Sequence, residues 1–175
     1  MADLSQFETN PQTQLLEEIK GARCVMLGSP NADEHMQPMS PQIDDKSIED
    51  VSQGAPSVIY FYSDRTSDLG RAVLAKPGAT VRACHIGSDY QACVEGEIYP
   101  VEADTALIER FWNPVVASWY PDGQDDPKML MLRLDIDNAA VWASTGNPLK
   151  FVYETAKANL TDTQPDLGKS KVISG

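Results

Sequence analysis

Residues 128–137 carry the clearest strand pattern in the chain, with apolar residues at every even position from 130 to 136 and polar residues at 133, 135 and 137. Such a period of two is typical of a β-strand with one face in a core and the other in water. Asn138 is predicted to turn the chain into a partner strand, residues 139–144. The apolar members of the alternation are Leu130, Leu132, Leu134 and Ile136.

Other short stretches with strand character surround this one. Residues 23–29 and 35–42 are predicted to form a hairpin, and residues 58–62 and 90–101 are predicted to be strands, the last with Gly96 at a bulge. Helices are expected near Pro11 and Pro148. The sequence therefore predicts a mostly β fold, an antiparallel barrel of six or seven strands with two to four flanking helices.

Length and polarity predict one domain followed by a tail. With 175 residues, 42% of them hydrophobic, the chain can bury a single sizeable core. We expect that domain to cover residues 1–160. Residues 161–175 are polar and are expected to be a mobile tail.

Charge and hydropathy exclude several classes of partner. The formal net charge of −12 is unsuited to a phosphate backbone, so no nucleic-acid partner is expected. The sequence has no apolar run of membrane-spanning length and begins without an export signal. The predicted location is the cytoplasm, where Cys24, Cys84 and Cys93 are expected to stay reduced and mostly buried.

Residues 57–87 predict a strand, a hydroxyl-rich turn, a short helix and a second strand. The positive end of the helix dipole and free backbone N–H groups meet where Ser63, Thr66 and Ser67 lie. This arrangement suits a phosphate group. An ordinary capped helix explains the same hydroxyl groups, because serine and threonine are common helix caps.

The motifs of several enzyme classes are missing. The two histidines, His35 and His85, lie near no nucleophile-elbow motif, and no glycine-rich nucleotide loop is present. Cys84 and His85 are adjacent on a predicted strand and point to opposite faces, which we interpret as a buried thiol and a surface imidazole. No metal site is predicted, because Asp122, Asp125 and Asp126 lack the spacing of a calcium loop and lie in a turn.

Four segments, in this order, resemble the pyridoxamine 5′-phosphate oxidase-like flavin split barrels, most closely their general stress protein branch. The segments are QPMSPQ, FYSDRTS, QACVEGE, and FWNPVVASWYPDGQDDP followed by LMLRLDIDNAAVWAS. The resemblance covers residues 11–155. It implies an FMN-binding split β-barrel that forms a homodimer, with each flavin in a cleft between two subunits. It also implies cofactor-binding roles for Gln37, Met39, Tyr62, Ser63, Ser67, Gln91 and Trp142.

The sequence departs from the family pattern where relatives carry basic residues. Gln37, Asp68 and Leu69 stand in those places. Each lost charge-assisted contact to a phosphate weakens binding by ~1.5–3 kcal/mol. Arg65, Arg71 and Lys76 are candidates to replace them.

Two functions remain open at this level, beside a third interpretation as a purely structural homodimer that binds no planar ligand. The first is an FMN-dependent oxidoreductase acting on a small molecule that the sequence does not identify. The second is a non-enzymatic homodimer that binds flavin or another ligand during stress. No catalytic residue is predicted in either case. Strand 58–62 is apolar on both faces, so one face needs a cover from outside the barrel, and a second copy of the chain is the expected cover.

Overall fold

The computed structural model describes residues 2–29, 35–101, 105–144, 148–161 and 163–175. Within these ranges the chain forms seven α-helices and eight strands. The helices are α1 (Leu4–Thr9), α2 (Pro11–Lys20), α3 (Asp45–Ser52), α4 (Asp68–Ala75), α5 (Thr105–Phe111), α6 (Pro114–Ala117) and α7 (Pro148–Thr161). The strands are β1 (Val25–Gly28), β2 (Gln37–Met39), β3 (Pro41–Gln42), β4 (Val58–Asp64), β5 (Ala79–Ile86), β6 (Tyr90–Val101), β7 (Met129–Ser144) and β8 (Gly168–Ser174).

The strands form one antiparallel sheet that curls into a nearly closed barrel. Their order is β2-β1-β5-β6-β7-β4-β3, and β8 pairs with β7. β2 and β3 stand at opposite ends of this order but are separated in sequence by Ser40 alone. One segment, residues 37–42, therefore joins both edges of the sheet. The predicted barrel is confirmed, with more helices than the two to four expected.

β1 and β2 confirm the predicted hairpin. Val25 lies opposite Met39, and Leu27 lies opposite Gln37. The residues predicted for its turn, Pro30 to Asp33, lie outside the described residues.

β7 is one strand of 16 residues, so the predicted turn at Asn138 is wrong. Opposite it on β6, Glu95 pairs with Asn138 and the next residue, Gly96, pairs with Ile136. Asp137 is thus the extra residue of a β-bulge. A Cβ on Gly96 would lie 2.0 Å from the Asp135 carbonyl oxygen, which explains the glycine at this close approach.

The bulge also explains the apolar pattern of β7. Before it, even-numbered residues from Leu130 to Ile136 are buried; after it, the buried residues are Ala139, Val141 and Ala143. Inserting one residue exchanges the two faces of a strand, so the phase of the alternation changes there. This shift is visible in the sequence and distinguishes a bulge from a turn.

The main core fills the barrel, and α2 covers one of its ends. Leu15, Leu16 and Ile19 of α2 are at most 1% exposed and belong to the same cluster as Ile59 and Phe61 of β4. This confirms the helix expected near Pro11 and shows that it buries an apolar stripe. None of the helices in the described part of the chain is long and apolar enough to cross a membrane.

The C-terminal segment differs from the expected mobile tail. Residues Gly168–Ser174 form β8, which runs antiparallel to the second half of β7. Ile173 is buried against the core. Apart from Ile173, β8 contributes little to the interior, so its sequence is polar although it forms a strand. Low hydrophobicity therefore wrongly predicted a mobile tail.

The outer face of β4 is covered by the same chain. Tyr60 packs against Phe111 of α5 with 5.4 Å between ring centroids, and Tyr62 packs against Trp112 at 6.1 Å. The cover expected outside the barrel is thus present, but it is α5 and the residues after it. The homodimer stays a prediction that rests on the resemblance.

Candidate functional site

Five of the seven predicted cofactor residues lie around one seam of the barrel. We call Gln37, Met39, Tyr62, Ser63 and Ser67 the loop group. Gln37 and Met39 are in β2, at the start of the segment that closes the barrel. Pro41 of that segment pairs with Phe61, so Met39, two residues earlier, lies near the end of β4 where Tyr62 and Ser63 are found.

Ser67 is the N-cap of α4. Its hydroxyl oxygen accepts a hydrogen bond from the Gly70 N–H at 3.0 Å, and the hydroxyl donates to the Asp64 carbonyl at 2.7 Å. The Ser63 and Ser67 hydroxyl oxygens are 3.5 Å apart. The first N–H groups of a helix have no acceptor within it. The N–H groups of Asp68 and Leu69 are two such donors, and a helix N-terminus of this kind can bind an anion.

Charges of both signs surround this helix end. The Asp64 carboxylate accepts hydrogen bonds from the hydroxyl and the N–H of Thr66, at 2.7 and 2.6 Å, and these bonds lower the pKa of Asp64. Arg71 forms an ion pair with Asp68. A bound phosphate would meet these two acids as well as the nearby cations.

Two cations, Arg65 and Lys128, lie beside the loop. The Arg65 Nε–H donates to the Met129 carbonyl at 3.1 Å, and the positive charge of Lys128 lowers the pKa of Asp64. Arg65 was a sequence candidate for a phosphate contact; Lys128 was missed, because only the pairing of β4 with β7 brings it to the loop. Backbone donors, hydroxyl groups and these cations fit a phosphate group here.

The contacts of Tyr62 are those of a residue that stabilises the fold. Its hydroxyl donates to the Ile108 carbonyl at 2.7 Å, and burial raises its pKa to about 12. Its ring lies 6.1–6.2 Å from the rings of Trp112 and Tyr120. The Tyr120 hydroxyl donates to the Ser63 carbonyl at 3.0 Å, so this aromatic cluster holds the end of β4 in place.

The remaining predicted residues, Gln91 and Trp142, form what we call the sheet pair. They lie directly opposite each other on β6 and β7. The Gln91 side-chain amide donates to the Gly87 carbonyl at 2.8 Å and is thereby held at the β5–β6 turn. Trp142 is 46% exposed on the outer face of the sheet. An indole in this position can stack on a planar ligand that approaches from outside the barrel.

The loop group and the sheet pair lie at opposite ends of β7. Tyr62 pairs with Met131 near the start of this strand, whereas Gln91 pairs with Trp142 near its end. Met131 and Trp142 are eleven positions apart, a path of about 36 Å along the strand at ~3.3 Å per residue. Measured along β7, this path is longer than one flavin mononucleotide. The chain thus presents two separate sets of candidate cofactor residues.

Two cavities lie in the described part of the chain, and the smaller one adjoins Gly87, whose carbonyl accepts the hydrogen bond from Gln91. One, of about 720 Å³, lies between α2 and α3 and is lined by residues such as Glu17 and Ile48. The other, of about 210 Å³, lies by the β5–β6 turn next to His85 and Tyr90. Neither is lined by a predicted cofactor residue.

The remaining sequence candidates are arranged differently from expectation. His85 is 8% exposed and faces inward, whereas Cys84 is half-buried on the outer face, so the interpretation as buried thiol and surface imidazole is wrong. Cys24 is exposed, contrary to its expected burial. Asp126 is buried in the turn after α6, where it accepts a hydrogen bond from the Lys128 N–H at 2.9 Å.

The closing segment, the long bulged strand and the helix capped at the loop group together define a split β-barrel. The pattern of the family described as pyridoxamine 5′-phosphate oxidase like matches residues 10–166. The chain belongs to this family, which confirms the resemblance seen in the sequence. No curated protein matches the chain.

Solved structures of general stress proteins are similar over most of the chain. A general stress protein 26 from Jannaschia sp. CCS1 is 28% identical, with a TM-score of 0.73, over 93% of this chain and 96% of that one. A general stress family protein from Xanthomonas campestris pv. campestris is 33% identical, with a TM-score of 0.63, over 84% and 93%. The general stress FMN/FAD binding protein of Xanthomonas citri is 32% identical, with a TM-score of 0.64, over 78% and 90%.

Proposed function

We propose that this protein binds FMN in a cleft shared by two copies of the chain and acts as a flavin-dependent oxidoreductase on a small molecule. Support comes from family membership and from the similarity to a protein named for FMN/FAD binding. The observation that carries the proposal is the separation of the loop group from the sheet pair along β7. A second copy related by a two-fold axis can bring its sheet pair to the loop group of the first.

Each set has a distinct role in this proposal. The N-terminus of α4, Ser63, Ser67, Arg65 and Lys128 hold the phosphate. Trp142 stacks on the isoalloxazine ring, and Gln91 supplies an amide at its edge. Gln37 and Met39 border the ring from the closing segment. The flavin supplies the redox chemistry, and the residues of this chain bind and orient it and exclude water.

The substrate class follows from the proposed cleft between two chains. A shared cleft leaves room for a small molecule against the flavin, and no side chain is assigned to proton transfer. Tyr62 and Tyr120 stay protonated at neutral pH, since burial raises the pKa of each to about 12. Protons exchanged during turnover would come from water or from the substrate.

The same observation favours a second candidate, a flavin-binding homodimer without catalytic activity. In that case, the protein sequesters the cofactor during stress, and the absence of an assigned acid or base has no consequence. The two functions share one site and differ only in whether a reduced flavin passes its electrons to an acceptor.

The absorption spectrum of the protein as isolated tests both. We expect a yellow protein whose flavin, once photoreduced, is reoxidised by an acceptor such as a quinone faster than free FMN under the same conditions. Reoxidation no faster than that of free FMN selects the non-enzymatic function. A colourless protein that binds no added flavin contradicts both.

Flavin titrations separate the role of the loop group. FMN and FAD carry a phosphate group that riboflavin lacks, so we expect FMN to bind at least about tenfold more tightly than riboflavin. Equal affinities would remove the phosphate contact from the proposal. Light scattering on the same sample measures the mass, which we expect to be that of two chains.

A further inference from the structure

Cys84 and Cys93 face each other across β5 and β6. They are direct partners in the register of these strands. Their Sγ atoms are 3.5 Å apart, which is van der Waals contact for two unbonded sulfurs. Cys24, the third cysteine, is exposed immediately before β1 and belongs to a different part of the surface.

The hydrogen-bond pattern identifies the kind of cross-strand pair they form. The Gly87 N–H donates to the Tyr90 carbonyl at 2.9 Å, so Gly87 and Tyr90 form a hydrogen-bonded pair at the turn. Hydrogen-bonded and non-hydrogen-bonded pairs alternate along an antiparallel ladder. Cys84 and Cys93 are three pairs further along and therefore form a non-hydrogen-bonded pair.

That kind of pair has the dimensions that a disulfide needs. In a non-hydrogen-bonded pair, the Cα atoms are about 4.5 Å apart and the side chains approach closely. Disulfides occur with Cα separations of about 4.4–6.8 Å. Closing the bond thus requires rotation of two side chains and little movement of the backbone.

The pair lies on the outer face of the sheet and can be reached by a small oxidant. Both cysteines are half-buried. Met26 of β1, next to Cys84, is 37% exposed, and Val172, further along the same row of the sheet, is 74% exposed. Ala83 and Val94, which are next to Cys84 and Cys93 in sequence, point inward and belong to the core.

We propose that Cys84 and Cys93 are a reversible modification site, where a hydroperoxide converts the two thiols into an intrachain disulfide that links β5 to β6. The proposal rests on the register and the sulfur contact. Both observations come from a single chain.

The reaction balances with hydrogen peroxide as the oxidant. One cysteine, as thiolate, attacks a peroxide oxygen; the O–O bond breaks, a sulfenic acid forms and, after protonation, water leaves. The neighbouring thiol then attacks the sulfenic sulfur, the S–S bond forms and a second water leaves. Two thiols lose two electrons and two protons, and the peroxide takes up both. A dithiol reductant reverses the change by thiol–disulfide exchange.

Proximity, not an activated thiolate, distinguishes this pair from Cys24. Burial, followed by the hydrogen bond and charge of Cys93, raises the pKa of Cys84 to about 11, against a smaller opposite effect of Arg82. Arg82 is itself paired with Glu95 on the same outer face. Neither thiol needs to react quickly. The product of oxidation therefore distinguishes this pair from Cys24 better than the rate of oxidation does.

Peptide mapping reads the product directly. Trypsin places Cys84 and Cys93 on one peptide, residues 83–110, and Cys24 on another, residues 24–46. The full-length protein is treated with hydrogen peroxide, free thiols are blocked with iodoacetamide, and the sample is reduced and labelled with N-ethylmaleimide. We expect peptide 83–110 to carry two N-ethylmaleimide groups and, before reduction, to be lighter than the dithiol by two hydrogens.

Three variants give the controls. Cys24→Ser should keep the double label and should stay a single chain on a non-reducing gel. Cys84→Ser and Cys93→Ser each remove one partner, so the remaining cysteine should be trapped by dimedone as a sulfenic acid and should lose the reducible label.

Two results would overturn the proposal. One is that residues 83–110 of the unmodified protein take up iodoacetamide at both cysteines after peroxide treatment that oxidises Cys24. The other is that Cys84 and Cys93 end as separate sulfinic acids that no dithiol restores. A reducible label of equal size in Cys84→Ser would likewise exclude the pairing.

Discussion

The loop group and the sheet pair differ in how completely the single chain has built them. Around Ser67, hydroxyl groups, backbone and charged side chains already bond to one another, and an aromatic cluster holds the end of β4. At the other end of β7, Trp142 is half-exposed on an open sheet face. The first offers the backbone and side-chain donors that a phosphate would need, and the second is an exposed indole on the outer face of the sheet. This contrast is the reason to expect a site assembled from two chains.

The largest expected effect concerns the bulge between the two sets. In Gly96→Ala, the new Cβ would lie 2.0 Å from the Asp135 carbonyl oxygen, so β6 and β7 must separate. We expect the free energy of unfolding in urea to fall by ~3 kcal/mol or more. Gly21→Ala is the control, because its Cβ would meet only ordinary contacts at 3.6 Å. Equal stability of both variants would contradict this account of the bulge.

Trp142→Ala removes the exposed indole of the sheet pair. We expect the FMN dissociation constant to rise by roughly tenfold, since a stacking indole is lost, while the melting temperature stays unchanged. Fluorescence titration with FMN and thermal unfolding measure the two quantities. Trp119→Ala is the matched control, because Trp119 is 78% exposed and lies in neither set. A similar loss of affinity in both variants would refute a specific role for Trp142.

Ser67→Ala tests the loop group. It removes a helix cap, so we expect the free energy of unfolding to fall by ~1 kcal/mol. We also expect FMN to lose affinity while riboflavin binding is unchanged, because only the phosphate meets this loop. Ser47→Ala, in the first turn of α3, controls for the loss of a hydroxyl group. An equal loss for FMN and riboflavin would point to a general disturbance of the cleft.

Much of the fold could be predicted because its signals are local. The alternation in β7, the apolar stripe of α2 and the hairpin of β1 and β2 each lie within a few consecutive residues. The tail was misjudged because β8 becomes a strand through pairing with β7, which no local pattern records. α3 was not predicted, because residues 45–52 are mostly polar, although Ile48 and Val51 pack against the core.

The candidate site was only half predictable from the residues. The hydroxyl groups of Ser63 and Ser67 and the helix after them are a local signal. The sheet pair came from the family resemblance alone, because Gln91 and Trp142 are far apart in sequence and meet only through the register of β6 and β7. Their distance from the loop group along β7 depends on the whole sheet, so it could not be predicted from either segment.

The smallest expected effect concerns acid. The hydrogen bonds from the Arg110 guanidinium hold the pKa of Asp44 well below its usual range. Since the folded pKa lies below the unfolded one, this stabilisation is present above the unfolded pKa of about 3.9 and is lost as the pH falls below it. Asp44 is one-third exposed, so we expect a loss of at most ~1 kcal/mol.

Asp44→Asn isolates this ion pair, because asparagine still caps α3. Between about pH 7 and about pH 3, the unmodified protein should lose more stability in urea than the variant does. The same loss in both proteins would exclude the pair as a source of acid sensitivity.

The most direct test of a site shared between chains is complementation. Ser67→Asp keeps a helix cap but opposes a phosphate by charge, and Trp142→Glu removes the indole; neither protein alone should bind FMN where the unmodified protein is saturated. When equal amounts are unfolded together and refolded, half of the dimers are mixed, and each mixed dimer has one intact site. We predict recovery of about one quarter of the flavin bound by the unmodified protein. A mixture that binds no more flavin than the separate variants would contradict the shared site.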